Sequence, residues 1–398
     1  MTADAARAAQ SVPHSLQPEA WPGPDLLAGA QEVAAIAAAE ADRIDRQACF
    51  PQAAVDAMRE YGLLGAMVPP DLGGPGASLD TVAAICRTLG AACSSTGMIF
   101  AMHQIQVACL IEHARGSLWH ESLLARVAAG QWLLASATSE QAADSEPCAL
   151  ESEGARFRLR KMAPAISHGA HADALLVAAR RDAAAGREDQ VLVCLMRGDY
   201  TLQQAGAWDT LGMRGTCSQG FRLEATCTAE QIVPVAFGEI ADATMMPVSH
   251  ILWAALWTGI AADAVQRARA FLRGQARTQA DALPPSAARV AEALSILQTM
   301  EGRLQAAIQR LSRCEAAMPV SALFALAAEM NGLKTAMSRL ALDAVQLALL
   351  ACGMAGYKYG TPFSLGRHLR DLWSAPLMIN NDRILTNTAS LLLAERSN

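Results

Sequence analysis

The sequence predicts a mainly α protein with a small β unit in its middle. Three observations carry that prediction. Hydrophobic residues make up 52% of the 398 residues but aromatics only 5%, so the core is built from Ala, Leu, Val, Ile and Met. Such small side chains suit closely packed helices. Near Trp132 the long apolar stretches give way to short runs separated by Gly, Asp, Pro and Ser clusters. From Pro247 the helical texture returns and persists to Leu393.

Residues 1–27, with Pro13, Pro18, Pro22 and Pro24, read as an irregular lead-in. Residues 28–131 read as an N-terminal domain of helical hairpins. A helix runs from Leu27 to about Gln47, and Pro51 opens another at a first-turn position. The segment Pro69-Pro70-Asp71-Leu72-Gly73-Gly74-Pro75-Gly76 must be a loop. Ser78 or Asp80 can cap the next helix, through Leu89, and a further one spans about Gly97 to His113.

Residues 132–246 hold the strand candidates Trp132–Ala135, Phe157–Leu159, Leu175–Ala178, Val191–Leu195, Phe221–Ala225 and Ile232–Val235. Arg180–Gln190 reads as a turn between strands. In 247–398, Ile251–Gly274, Ser286–Cys314 and Val320–Gly353 are each long enough for several helical turns, an antiparallel bundle.

Charge and cysteine usage exclude several classes. Lys+Arg 32 against Asp+Glu 38 leaves −6, and no basic run stands out, so neither nucleic acid nor membrane is an expected partner. None of the ten cysteines forms a C-x-x-C pair or a Cys/His cluster with zinc spacing, so no metal is expected. The start of the chain lacks signal-peptide order, and Ile251–Ala262 and Leu340–Cys352 fall short of an uninterrupted span. The expectation is a cytoplasmic protein with reduced thiols. There is no G-x-G-x-x-G after a strand, no P-loop, no G-x-S-x-G and no H-E-x-x-H.

Four segments, in order, carry a resemblance. They are Gly62-Leu63 with Pro69, Leu72, Gly73 and Gly74; Ala137–Glu146; Ile166-Ser167-His168-Gly169 with Trp208–Thr216; and Gly353–Tyr357 followed by Arg370-Asp371 and Ala375-Pro376. Together they resemble the acyl-CoA dehydrogenase superfamily of flavoproteins, from about residue 30 to 393. The resemblance implies an N-terminal helical domain, a central β-barrel and a C-terminal four-helix bundle. It implies FAD rather than FMN, bound at a subunit interface in a homotetramer or homodimer. A flavin reductase or an electron-transfer flavoprotein would be the redox partner.

The resemblance also assigns roles. Thr138 and Ser139 would face the pyrimidine edge of the flavin. Ser145 would meet the cofactor diphosphate or a bound thioester. Ser167 would hydrogen-bond near flavin N5, and Ile166 and Asn381 fall among the cofactor-binding positions. Short hydroxyls and amides suit a ring that gains negative charge on reduction. Read without the resemblance, the same Ser and Thr residues are turn formers or caps.

The departures bear on chemistry. Glu140-Gln141-Ala142-Ala143-Asp144-Ser145-Glu146 lacks both family glycines, and Ala165 replaces an aromatic. The family's Arg-x-x-Phe-Gly clamp aligns with Gln275, Thr278 and Gln279, with Arg273 or Arg277 as stand-ins. The catalytic Glu that removes an α-proton aligns with Ile379, and its other known location with Ser249. Asp382, one turn beyond Ile379, is the acid that can share its helix face, or else a surface residue beside Asn380-Asn381. His103, on an apolar helix, is either a satisfied core histidine or, as in flavin monooxygenases of this fold, a cavity residue that hydrogen-bonds substrate or flavin.

Three functions follow from these readings. The first is a dehydrogenase oxidising a CH–CH bond of an acyl thioester. The second is a flavin-dependent monooxygenase or oxidase on another small molecule. The third is a scaffold that has lost catalysis.

Overall fold

The computed structural model describes residues 25–139, 148–278, 283–314 and 320–394. Helix α1 (Leu26–Gln47) begins where the Asp25 carboxylate accepts from the Ala28 N–H. Helix α2 (Gln52–Glu60) follows Pro51 directly. Gly73, at φ 86, closes the short turn of the Pro/Gly loop. Ser78 caps α3 (Leu79–Ala92) by accepting from the Thr81 N–H. Helix α4 (Ser94–His113) is buried on every side between Ser94 and Leu110, apart from Met102, so it is the central post of the domain. Helix α5 (Leu118–Gly130) completes the domain; its mixed polar sequence had not announced it.

Eight strands follow: β1 (Leu134–Ala137), β2 (Glu151–Glu153), β3 (Arg156–Ala163), β4 (Ala174–Arg180), β5 (Gln190–Met196), β6 (Tyr200–Gly206), β7 (Gly220–Cys227) and β8 (Ile232–Ala236). They form two four-stranded sheets, ordered β1-β4-β5-β8 and β2-β3-β7-β6. The closed barrel implied by the resemblance is not shown: among the described residues the strands form two four-stranded sheets, and neither closes.

Their packing explains the pattern. Strands β3 and β7 alternate between a buried and a solvent face. Leu159, Leu223 and Phe221 thus meet Leu175, Val177 and Val193 of the other sheet in a small core. The opposite face of β4 and β5, with Leu176, Leu192 and Cys194, joins the helical core. A strand buried on both faces reads as a continuous apolar run, as Ala174–Ala179 does. The outer strands β2 and β6 are largely exposed and carry no such run, which is why their sequence is silent.

Helix α6 (Phe237–Ile240) runs through one π turn at Ala241–Met245 into α7 (Met246–Thr278). Pro247 thus lies just after the π turn, a local irregularity of the ladder that accommodates a residue without an N–H. Helices α8 (Ala287–Ser312) and α9 (Val320–Cys352) pack against α7 and each other. Three short helices follow, α10 (Met354–Tyr357), α11 (Gly366–Leu372) and α12 (Ser374–Leu377), and α13 (Asn381–Ala394) lies along α9. Two helical stretches, 237–277 and 322–352, are long and apolar enough to cross a membrane by length and composition. Their most apolar windows are 89% and 56% buried inside the fold, as core helices are.

The three parts meet at a buried polar knot. The Asp371 carboxylate accepts from the Met213 N–H at 2.7 Å. Arg370 pairs with Asp45 of α1 and donates to the Leu211 carbonyl at 2.9 Å. Arg214 donates to the Asp45 carbonyl at 2.8 Å. Gly212 and Gly215 lie so close to α11 and α1 that an added methyl would overlap the Arg370 carbonyl and the Ile44 side chain. That accounts for both glycines of Leu211-Gly212-Met213-Arg214-Gly215. Gly212→Ala should therefore lower stability by about 1–3 kcal/mol in urea unfolding, because the contact is with backbone that cannot rotate away. An unchanged midpoint would refute the close approach.

Candidate functional site

The polar knot brings the 208–219 loop against the turn that precedes β4. Two backbone bonds join them: Ile166 N–H to the Gln219 carbonyl at 3.0 Å, and His168 N–H to the Thr216 carbonyl at 2.8 Å. His168, Met213 and Cys217 adopt left-handed φ values of 46, 53 and 46. Gly169 has no room for a methyl, which would strike the Ile166 side chain. The turn therefore presents Ser167 half-exposed at its apex.

A row of hydroxyls stands behind Ser167. Ser218 Oγ donates to Ser167 Oγ at 2.9 Å. Ser218 Oγ lies 2.8 Å from Thr216 Oγ1, which donates to the Met213 carbonyl at 2.8 Å. Ser167 accepts from within the protein, so its own proton is left to donate outward. Nothing in the sequence by itself singles out Ser218 and Thr216 as site residues. Their signal is the T-x-S spacing beside a glycine pair, which becomes meaningful only once Ser167 lies opposite.

Strand β1 ends at Ala137, and Thr138 follows half-buried and Ser139 exposed. β1 is an edge strand, paired in parallel with β4 from Leu134↔Ala174 to Ala137↔Val177. The residues after its end, including Ser145 and the rest of 140–147, lie outside the described residues.

His103 holds the base of this strand. Its Nδ1 accepts from the Leu134 N–H at 3.0 Å, which puts the ring proton on Nε2, 2.7 Å from the Leu64 carbonyl. His168 Nε2 in turn donates to the Leu134 carbonyl at 2.9 Å. Two buried histidines thus grip both peptide groups of one residue. Burial pulls both rings down to about 4, so both are neutral at ordinary pH.

For His103 and Asp382 the structure agrees with the plainer of the two readings, and it gives Ile166 and Asn381 partners of their own. His103 is fully buried with both nitrogens bonded to backbone, so it staples α4 to β1 and to the 63–65 turn and offers nothing to a substrate. The Ile166 side chain belongs to the small β core and its N–H is already paired. The Asn381 amide is likewise occupied within the bundle, accepting from Lys334 Nζ at 2.7 Å and donating to Ser338 Oγ at 2.9 Å. Asp382 is exposed in the first turn of α13, its backbone N–H bonded to the Asn380 side chain, and so has the bearing of a helix-start residue rather than a dry-pocket base.

Of the aligned positions that carry no carboxylate, Ser249 is buried in α7 and Ile379 is exposed. Gln275 accepts from Ser286 at 2.9 Å, and Arg273 and Arg277 lie exposed on α7. Among the described residues no group of three or more His, Cys, Asp or Glu side chains can hold a metal.

The residues present fit a planar polar heterocycle. The two segments that meet at Ser167 also carry two buried atoms without a hydrogen-bond partner among the described residues, His168 Nδ1 and Gln219 Oε1. Native folds rarely leave such atoms unsatisfied without a ligand or water to meet them.

The neutral histidines set a pH dependence. Below 6.5 an unfolded chain takes up protons that buried His103 and His168 cannot. Their contribution is therefore complete above 6.5 and is lost as pH falls toward about 4, by on the order of 3 kcal/mol for each ring. His103→Gln should flatten this acid slope in denaturant titrations while lowering stability at pH 7.5 by about 1–3 kcal/mol. An unaltered slope would show that His103 is not a buried neutral group.

Comparison with known proteins places this geometry. Residues 26–131 match the family model of the acyl-CoA dehydrogenase N-terminal domain. A probable FMNH2-dependent monooxygenase, SfnC of Pseudomonas putida, is 26% identical over 255 residues, covering 63% of this chain and 63% of that protein. Cyclohex-1-ene-1-carbonyl-CoA dehydrogenase of Syntrophus aciditrophicus is 27% identical over 245 residues, covering 59% and 58%. The match thus spans about three-fifths of these relatives' length. FMN-bound TdsC from Paenibacillus sp. A11-2, a dibenzothiophene monooxygenase, superposes with a TM-score of 0.82 at 23% identity, over 94% of this chain and 98% of that one. The matched N-terminal domain, the relatives and the fold agree: the chain is similar to proteins of the acyl-CoA dehydrogenase superfamily, monooxygenases as well as dehydrogenases among them.

Proposed function

We propose that this chain is a flavin-dependent monooxygenase of the acyl-CoA dehydrogenase fold, working on FMN that a separate flavin reductase supplies in reduced form. One observation carries the choice of reaction. The two positions where the family keeps its proton-abstracting carboxylate hold Ile379 and Ser249, and the nearby acid, Asp382, is exposed at a helix start. Acyl thioester dehydrogenation needs a base on the α-carbon; oxygen insertion does not.

The cofactor preference follows from what the chain lacks. The Arg-x-x-Phe-Gly clamp, which serves FAD across a subunit interface, is replaced at Gln275, Thr278 and Gln279. That favours the shorter FMN over the expected FAD, in keeping with the names of SfnC and TdsC. Ser167 would donate to the ring, with Thr138 and Ser139 at its other polar edge. Reduced flavin supplies two electrons for splitting O2, one oxygen atom entering the substrate and the other leaving as water. Ser218 and Thr216 fix the direction of the Ser167 hydroxyl. The apolar packing around β1 would keep water from a ring held there.

The ten unpaired cysteines suit a reducing cytoplasm. Leu350, Met354 and Tyr357, and separately Leu392 and Leu393, are exposed apolar side chains of the kind that a second copy of the chain would cover, in a homodimer or homotetramer.

The test is spectroscopic. The purified protein should take up FMN, and oxygen consumption should begin only when NADH and a flavin reductase are added. Anaerobic acyl-CoA thioesters should leave the bound flavin yellow. Bleaching by a thioester would restore the dehydrogenase reading, and no flavin uptake would favour a scaffold. Ser167→Ala should weaken FMN binding by about tenfold, the value of one buried hydrogen bond.

A further inference from the structure

We propose that Lys334 is a positioning residue of the active site: it pins the Met378–Asn381 turn in a left-handed conformation that fixes Ile379 as an aliphatic wall of the substrate cleft. The identity of the cleft rests on the function proposed above; the tether itself rests on the geometry that follows.

Lys334 lies on α9 with its side chain wholly enclosed. Its ammonium donates to the Met378 carbonyl at 2.5 Å and to Asn381 Oδ1 at 2.7 Å. The Asn381 amide donates to Ser338 Oγ at 2.9 Å, one turn further along α9, and Ser338 donates to the Thr335 carbonyl at 2.9 Å. Three side chains thus clamp both ends of a four-residue turn to one helix.

No described carboxylate pairs with this ammonium, and burial pulls it down to about 8. The neighbouring titratable group, His250 of α7, is neutral and donates through Nδ1 to the Met330 carbonyl. An enclosed charge without a counter-ion is unfavourable, and an apolar side chain of similar volume would fill the space at less cost. What Lys334 provides, and such a side chain could not, is a pair of hydrogen bonds to this turn.

The turn needs holding. Ile379 and Asn380 have φ values of 54 and 46. Left-handed backbone is tolerated by Asn but is rare for a β-branched residue. Ile379 is among the exposed large hydrophobic residues, at 37%, so its own packing holds it only in part. Asn380 N–H bonds the Leu377 carbonyl at 3.0 Å and Asn380 Oδ1 accepts from Asp382 N–H at 2.9 Å, which braces the flanks but not Ile379 itself. A strained residue with an exposed aliphatic side chain, held from behind by a buried cation, is presented to a ligand. It stands where the family's reactive carboxylate would stand, so the tether that aims it now aims an apolar surface.

The test uses Lys334→Met in the full chain, with Asn381→Ala as a second way to cut the tether. Amide hydrogen exchange over residues 374–384 should accelerate at least tenfold in both variants, with the remainder of α9 unchanged. Indole, a small planar apolar probe, should bind the FMN-loaded variants about tenfold more weakly, while FMN affinity changes less than twofold. In an Ile379→Gly background, Lys334→Met should alter exchange less than twofold, because glycine holds left-handed backbone unaided. Unchanged exchange in both single variants would overturn the tether. Faster exchange with unaltered indole binding would overturn the role of Ile379 as a cleft wall. Wild-type protein that binds no FMN would instead remove the flavin reading and leave the exchange result to judge the tether.

Discussion

The arrangement depends on a buried carboxylate that the β unit solvates with its backbone. Asp371 is enclosed, and burial raises its pKa, opposed by Arg367 and by the Met213 N–H. Arg370 beside it grips Asp45 and the Leu211 carbonyl. A buried charge network of this kind is weak as a source of net stability and strong as a determinant of geometry, because each group has one place where it is satisfied. Here that place joins α1, the 208–219 loop and α11. Once the loop is docked, Ser218 reaches Ser167, and the stretch leading to Ile379 starts from a fixed point.

Histidine chemistry in this chain is governed by burial rather than by proton transfer. His103, His168 and His250 are all enclosed and all pushed toward the neutral form. A neutral imidazole has one donor and one acceptor, which matches the two polar groups of a peptide chain. His103 and His168 use this to hold Leu134 from two sides and to start β1 at a defined height. A lone histidine on an apolar helix therefore served as a staple, though its position had also suited a cavity residue.

The same scaffold is compatible with different reactions because the reacting group occupies few positions. On the function proposed here, Ile379 stands where the family's carboxylate would, and the bundle and the β unit are built regardless of which residue is there. The fold then says where a ligand would sit and not what happens to it. Lys334 extends this point: a residue that touches no ligand decides what the turn exposes.

Much of this was legible in the residues. Cap residues such as Ser78, the apolar run of β4 and the Pro/Gly loop at 69–76 each carry a local physical reason, and local reasons can be read without a structure. Strands β2 and β6 could not be read, because exposed edge strands leave no apolar pattern. The roles of Asn381, His103 and Lys334 were hidden for another reason. Whether a polar side chain serves a ligand or its own backbone depends on which groups stand opposite it, and those lie tens or hundreds of residues away in the chain. Sequence alone therefore determined the order of the parts, helices then a β unit then helices, and the absence of a carboxylate at 379; tertiary contact alone decided which hydroxyls, amides and rings were left free, since hydrogen-bond partners are chosen in space.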